Sequence, residues 1–381
     1  MRVLHLISDW KWTGPAEPVV SLCEALLKEE IDVRIAYRKT PIDFPERTIE
    51  KEVKRRGIPF YEGFRLNRYF SLKDWLQDIV KIGAYCERER IDICHTHLSH
   101  DHYLAFLSTH FRRRGPLIVR TDHKRDGLKK DVFLTFVVKR TDGIVTYSEK
   151  IKRKDAENFG LDENKICVIP PGVKIVTEPV TDVRDQFGLR ADERVIGIVG
   201  RLKADRGYDL ILRAYKTVKE KYPNWKLLIM GRSSQIEKSI LRPVKELGIS
   251  DGVILAGYRT HDYYSVINCF DIFVMMRAGS DGTARALREV MSMGKPAIVS
   301  DNGMLPELVK DGETGFVVEE NHEILAERMI FLIQNEELRR KMGTNAQEYA
   351  IKNWSYENQA RVLIQFYQKL LNEKIKNSYS P

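Results

Sequence analysis

Two carboxylates eight residues apart, Asp281 and Glu289, stand in Ala278-Gly279-Ser280-Asp281-Gly282-Thr283-Ala284-Arg285-Ala286-Leu287-Arg288-Glu289-Val290-Met291, directly after the apolar run Ile272–Met275. The glycines turn the chain out of a predicted strand into a predicted helix. Were the whole run helical, the two acids would share a face about 12 Å apart, at 1.5 Å per residue. That separation suits two hydroxyl-bearing rings joined by a diphosphate. An aspartate at a helix start is equally an ordinary N-cap, so this element alone leaves both readings open.

A second constellation is Gly200-Arg201-Leu202-Lys203-Ala204-Asp205-Arg206-Gly207, read as a turn between a strand and a helix. Guanidinium groups keep their charge and fit phosphate oxygens, so Arg201 and Arg206 together can neutralise a diphosphate without a metal. Solvated loop arginines are the plainer alternative. Trp12-Thr13-Gly14-Pro15-Ala16-Glu17 follows the first strand, and Gly14 turns the chain into a helix whose free N–H groups can meet an anion. It lacks the G-x-G-x-x-G spacing of a dinucleotide fingerprint. Four of the nine histidines fall in His95-Thr96-His97-Leu98-Ser99-His100-Asp101-His102. Imidazoles two apart at a strand end can share a metal, but no H-E-x-x-H and no cysteine pair accompanies them, and no metal is expected. His97 is read as a ligand-facing residue, and His100 and His102 as surface positions on the following helix.

These groups need a scaffold. Short apolar runs alternate with amphipathic stretches along all 381 residues, the pattern of parallel strands joined by crossover helices, so the fold class is α/β. Strands are expected at 3–8, 32–37, 92–95, 117–121, 143–147 and 166–169, then at 195–199, 226–230, 253–256, 272–275, 297–299 and 316–318. A helix is expected from Tyr208 to about Lys221, and a terminal one from about Tyr356 to Leu371. Ile169-Pro170-Pro171-Gly172-Val173 interrupts both kinds of regular structure. The boundary is set there: residues 1–175 form one Rossmann-like domain, joined by the C-terminal helix at about 356–381, and residues 176–355 form a second. Two such doubly wound domains are expected to face one another across a cleft, with ligands at the carboxyl ends of the strands.

Composition narrows the class. At 43% apolar and 31% charged residues the chain can bury a sizeable core, and no apolar run nears the ~20 residues of a membrane span. The opening Met1-Arg2-Val3-Leu4-His5-Leu6-Ile7 reads as a strand rather than a signal peptide, and five scattered cysteines read as reduced thiols, so a cytoplasmic protein is expected. Residues 1–175 hold 33 Lys and Arg against 26 Asp and Glu, while the remainder is nearly balanced. The first half therefore faces something acidic, and Lys129, Lys130, Lys139 and Arg140 lie beside Phe133 and Phe136 within it.

Taken together these residues resemble the GT-B glycosyltransferases of the large retaining group called family 4. Asp281-x7-Glu289 is similar to that family's E-x7-E element, and Gly200-Arg201…Arg206-Gly207 to its G-R-x4-K-G loop. Val168-Ile169-Pro170-Pro171-Gly172-Val173 is similar to its interdomain segment, Thr121-Asp122-His123 to its T-x-H, and Asp92-Ile93-Cys94-His95-Thr96-His97 to its D-x-x-H-x-H. Asp281 stands where Glu is usual, Thr283-Ala284 where Phe-Gly is usual, and Arg206 where Lys is typical. The resemblance implies a GT-B fold and transfer of a sugar, with retention, from a nucleotide-sugar to a glycan or lipid-linked acceptor, as in lipopolysaccharide synthesis. By this analogy the second domain holds the donor through Gly200, Gly282, Thr283, Ala284 and Glu289, with Gly14 contributing from the first. Arg201 and Arg206 stabilise the leaving diphosphate, Asp281 and His123 orient the transferred sugar, and His97 and Lys124 line the acceptor side. No cofactor, metal or nucleic acid is implied; docking on the inner face of the cytoplasmic membrane is the expectation from charge. Two rivals are a nucleotide-sugar epimerase of the same fold and a non-catalytic scaffold that docks on anionic surfaces.

Overall fold

A computed structural model describes residues 1–12, 14–41, 47–110, 112, 115–124, 127–279 and 284–379. The chain forms two compact units, Met1–Gly172 with Tyr356–Pro381, and Val173–Ser355. The first contains β1 (Arg2–Ile7), β2 (Asp32–Tyr37), β3 (Phe60–Tyr61), β4 (Ile93–Thr96), β5 (Leu117–Thr121), β6 (Gly143–Thr146) and β7 (Ile166–Val168). They make one parallel sheet in the order β3-β2-β1-β4-β5-β6-β7. The second unit contains β8 (Arg194–Arg201), β9 (Trp225–Arg232), β10 (Val253–Gly257), β11 (Ile272–Met275), β12 (Ala297–Ser300) and β13 (Gly315–Val318), also parallel, in the order β10-β9-β8-β11-β12-β13. Each order reverses direction beside its first strand, between β1 and β4 and between β8 and β11. Doubly wound sheets bind ligands outside the strand ends at such switch points.

Helices cover both faces, which is why β4, β5 and β6 are buried at every position, the polar His95, Thr96, Arg120, Thr121 and Thr146 included. On one face of the first sheet Val3, Val119 and Val145 pack with Val19 and Leu26 of the helix Ala16–Lys28 and with Leu363, Phe366 and Leu370 of the terminal helix Tyr356–Tyr379. On the other, Leu4, Leu6 and Cys94 pack against Ile82, Tyr85 and Cys86 of the helix Leu72–Arg88 and Leu104 and Ala105 of the helix Ser99–Thr109.

Three local departures from the sequence expectation have physical causes. The two-residue β3 is too short to show a period, and pairing with Ile35 and Ala36 alone creates it. β8 and β9 run two residues further than apolarity indicates, because Gly200 and Gly231 pair in register without side chains; a Cβ on Gly231 would lie 1.9 Å from the Gly200 carbonyl oxygen. Gly200 and Arg201 thus belong to the strand rather than to the turn. Finally, the helix bearing Glu289 is Arg285–Ser292, preceded by a left-handed Ala284, and Asp281 lies outside the described residues.

Phe366 is 5% exposed within the first core. Phe366→Ala is expected to destabilise the protein by about 3–5 kcal/mol, the usual cost of emptying a buried phenyl site. Urea unfolding of the full chain measures it; a midpoint equal to the parent's would show that the terminal helix is not part of this core.

Candidate functional site

In the first unit the site is built from imidazoles. Parallel pairing sets His5 of β1 opposite His95 of β4, and period two along β4 brings His97 to the same face. The three rings stack, with centroids 4.6–5.2 Å apart and planes within 30°. A hydrogen-bonded chain runs through them: His5 Nδ1 to His97 Nε2 at 2.9 Å, His97 Nδ1 to His123 Nε2 at 3.1 Å, and His123 Nδ1 to the Tyr147 hydroxyl at 2.5 Å. His95 stands beside it, Nε2 on the Thr121 hydroxyl at 2.6 Å and Nδ1 on the hydroxyl of Tyr367. Burial holds all of these rings neutral, with His5 and His123 pushed down to about 3 and His95 and His97 well below the ordinary histidine range. The cavity that His95, His97, His123 and Tyr147 line with Val19 and Leu363 of the covering helices is about 10 Å³, at the lower limit for one water molecule. Both nitrogens of His123 are therefore held by protein groups.

Beneath the turn that aims His97 lies a buried charge cluster. Asp101 accepts from the backbone N–H of His97 at 2.8 Å and of Leu98 at 2.9 Å, satisfying free donors at the start of the helix Ser99–Thr109. Burial raises its carboxyl to about 6, opposed by the Arg120 charge. Arg120 is itself buried, and its Nε and Nη1 have no hydrogen-bond partner. Asp122 accepts from the Lys124 N–H at 3.1 Å; burial raises Asp122 and lowers the partly buried Lys124 side chain. Asp155 is pushed up to about 7, first by burial and then by the Asp122 charge.

Among the described residues His5, His95 and His97 bring one ring nitrogen each to within 4.8 Å of the others. In the structure these nitrogens are engaged with protein groups instead: His5 Nδ1 with His97 Nε2, His97 Nδ1 with His123, and His95 with Thr121 and Tyr367. The Arg120 charge, which already lowers His95 and His97, further disfavours a cation.

In the second unit the Arg206 guanidinium is buried and donates to the Ala278 carbonyl. This ties the segment after β8 to the segment after β11. Gly207 makes the approach possible: its φ is +74°, and a Cβ there would lie 2.7 Å from Met276 Cβ. Arg201 is exposed, and its carbonyl accepts from the Tyr208 hydroxyl at 3.1 Å. Ala284, with φ +42°, holds a left-handed conformation at the start of the helix Arg285–Ser292 that sterics disfavour for any residue with a side chain. One turn on, Glu289 is buried, accepting from Tyr263 Oη at 2.7 Å and Arg285 Nε at 2.7 Å. A carboxylate oxygen has two lone pairs, so each retains capacity for a ligand hydroxyl.

Of the residues singled out from sequence, His97 and His123 are thus joined directly, Lys124 adjoins them, and Arg206 is anchored to the segment leading toward Glu289. Gly14 is exposed in the turn before the helix Ala16–Lys28. Asp281, Gly282 and Thr283 lie outside the described residues. His102 is a correction: it is buried, with Nε2 2.8 Å from the Thr141 hydroxyl, because the helix turns that position toward β5 and its neighbours. Sequence reasoning missed His5, Tyr147 and Tyr263. A period-two strand position carries no chemical signature, and only the pairing of β1 with β4 reveals His5.

Residues 13–176 match the family described as Glycosyltransferase Family 4, and residues 180–349 that described as Glycosyl transferases group 1. The chain belongs to the family 4 glycosyltransferases, and its two doubly wound domains are those of the GT-B fold. An uncharacterized glycosyltransferase of Methanocaldococcus jannaschii is 28% identical over 356 residues, 91% of this chain and 93% of that protein. Three other curated relatives are matched over 65%, 65% and 64% of their own lengths, so the chain spans about two thirds of each. A crystal structure of a glycosyltransferase from Rickettsia africae superposes with a TM-score of 0.83 at 18% identity, over 97% of this chain and 98% of that one. Anabaena HepE in complex with UDP and glucose gives 0.73 at 17% identity, over 96% and 98%.

His5 Nε2 is buried without a partner. Buried N–H groups without an acceptor are rarer than bare acceptors, so the proton is expected on His5 Nδ1, and each ring in turn donates toward Tyr147. Long-range 15N spectra of the ring nitrogens check this sense. The folded His5 binds its proton only near pH 3, whereas the unfolded one binds near pH 6.5. Its contribution is thus present above pH 6.5 and lost as the pH falls. The stability difference between the parent and His5→Leu should shrink on acidification by about 1.4 kcal/mol per pH unit. A difference independent of pH between 7 and 5 would refute the neutral, buried state.

Proposed function

We propose that this protein is a retaining glycosyltransferase that moves a sugar from a nucleotide-sugar to a glycan or lipid-linked acceptor of the cell envelope, without a metal. The observation that carries the reading is Glu289. It is a buried carboxylate in the Asp281-x7-Glu289 element of a family 4 chain, fixed by Tyr263 and Arg285 with acceptor capacity to spare. A ribose presents two adjacent hydroxyls, which suit it. Anabaena HepE was crystallised with UDP, so a uridine nucleotide is the first donor to test.

In this reading Arg201 and Arg206 face the diphosphate. Charge develops there as the sugar leaves, and fixed cations in a dry site stabilise that charge at no reorganisation cost. Arg206 is pre-oriented by its bond to the Ala278 carbonyl, and its Nε has no hydrogen-bond partner. Asp281 orients the transferred sugar, and the acceptor attacks from the leaving-group side, so that no protein nucleophile is required. His123, locked between His97 and Tyr147, acts as a neutral, shape-defining wall for the sugar rather than as a base. The basic first half meets an anionic acceptor, with peripheral contact at an anionic membrane.

Glu289→Ala is expected to weaken UDP binding by at least about tenfold, since hydrogen bonds to a charged group contribute roughly 1.5–3 kcal/mol each. Glu289→Gln, which can still accept from Tyr263, should show an intermediate loss and controls for folding. Calorimetry with UDP reads both, and unchanged affinity in both would refute the donor assignment. Arg201→Ala should lower kcat more than it raises the donor KM, because its charge is used mainly as the diphosphate departs. Turnover should also survive EDTA treatment; loss of activity restored by a divalent ion would overturn the metal-free mechanism.

A further inference from the structure

The helix Leu72–Arg88 is apolar on two sides. Ile82, Tyr85 and Cys86 face the sheet, yet Leu72, Leu76 and Val80, spaced four apart along the outer side, are between 56% and 64% exposed. Tyr69 and Phe70, just before the helix, are still more open. A second exposed apolar group lies on the helix Val132–Lys139, where Val132 is 91% exposed and Phe133 and Phe136 are also open. Ring contacts join the two groups: Phe70 to Trp75 at 5.3 Å, Trp75 to Tyr103 at 6.3 Å, and Tyr103 to Phe133 at 4.9 Å. One face therefore crosses three neighbouring helices. Side chains this open normally occur singly on a soluble protein, and a contiguous set calls for a partner.

Charge selects the partner. Lys73, Lys81, Lys129, Lys130, Lys139 and Arg140 are exposed around these side chains, and the Arg140 guanidinium lies 3.8 Å from the centre of the Phe136 ring. The nearby acids are fewer, and each is engaged in a local hydrogen bond. Asp131 caps its helix by accepting from the Leu134 N–H, Asp78 is buried on the N–H groups of Arg65 and Leu66, and Asp74 takes the Asn67 amide. A second copy of this chain would bring cation against cation. Apolar side chains that stand proud rather than lining a groove, within a cationic rim, match the headgroup and upper acyl region of an anionic bilayer. No described helix is long and apolar enough to cross a membrane, so this contact is made from one side.

We propose that this face docks the protein on the surface of a bilayer rich in anionic lipid. Leu76 and Val132 enter the boundary between headgroups and chains, and the lysines meet the lipid phosphates. The inference deepens the proposed function and rests on it for its purpose, delivery of a membrane-borne acceptor.

The full chain is tested by flotation with vesicles of phosphatidylcholine alone and of phosphatidylcholine mixed with phosphatidylglycerol. Binding is expected to the mixed vesicles only, falling steeply with added salt. Leu76→Ser with Val132→Ser should lower partitioning at least about tenfold, given the apolar area withdrawn from the bilayer, while Leu255→Ser, an exposed apolar position in the second unit, should not change it. Lys129→Gln with Lys130→Gln and Lys139→Gln should weaken binding and flatten its salt dependence. Absence of binding by the parent, or binding indifferent to the Leu76 and Val132 changes, overturns the proposal. A dimer in ultracentrifugation that Leu76→Ser dissociates overturns it in favour of a second copy. UDP affinity measured on the same proteins separates the two readings: a parent that binds UDP but no vesicles sinks the docking face alone, and a parent that binds vesicles but no nucleotide sinks the donor assignment alone.

Discussion

The first unit depends on one contact between residues 272 positions apart, the hydroxyl of Tyr367 on Nδ1 of His95. Tyr367 belongs to the terminal helix, so the last segment of the chain completes the core begun by the first strand. The entropy of closing so long a loop grows only logarithmically with its length, and the apolar area that Leu363, Phe366 and Leu370 bury readily exceeds it. Once Tyr367 holds one nitrogen of His95 and Thr121 the other, that ring cannot turn. His5 and His97, stacked on it, are then limited to the one plane in which their nitrogens meet each other and His123.

Both units use the same topology, with a reversal beside the first strand, yet they fill the carboxyl ends of their strands with opposite chemistry. In the first, neutral imidazoles satisfy one another, and the nearby ions, Arg120, Asp101 and Asp122, remain beneath the adjoining turns. In the second, charge is kept: a buried carboxylate with two donors and a buried guanidinium anchored on a backbone carbonyl. Burying an ion is tolerated only when it is paired or hydrogen-bonded, and Glu289 and Arg206 each meet that condition with groups from a neighbouring segment. The left-handed Ala284 beside Glu289 is a local strain of the sort that surrounding structure must hold in place, and such strain concentrates at functional positions.

The outer surface follows a different logic. A helix that packs on a sheet needs one apolar stripe, and the remaining positions are free of the fold's demands. The open face of Leu72–Arg88 is apolar where stability would be served as well by polar residues. Its exposed cations outnumber the acids beside them, which are held in local hydrogen bonds, so both the hydrophobic and the cationic character of the surface are presented to a partner.

Much of the architecture was legible in the sequence, because parallel strands buried on both faces are rich in apolar residues and their crossover helices must be amphipathic. The alternation of the two, the arginines around Gly200–Gly207, and the acid at position 289 are local facts. What the sequence could not contain was the pairing of distant segments. His5 joins His97 only because β1 lies next to β4, Tyr263 reaches Glu289 across a strand, and Arg206 meets Ala278 because Gly207 lets two segments touch. His102 looked like a surface residue since its helix gives no sign of which neighbour will cover it. Residue type and period decide which elements form and which side chains carry chemistry; hydrogen bonds between elements far apart in the chain decide which of those side chains are locked, which stay charged and which remain open to a ligand.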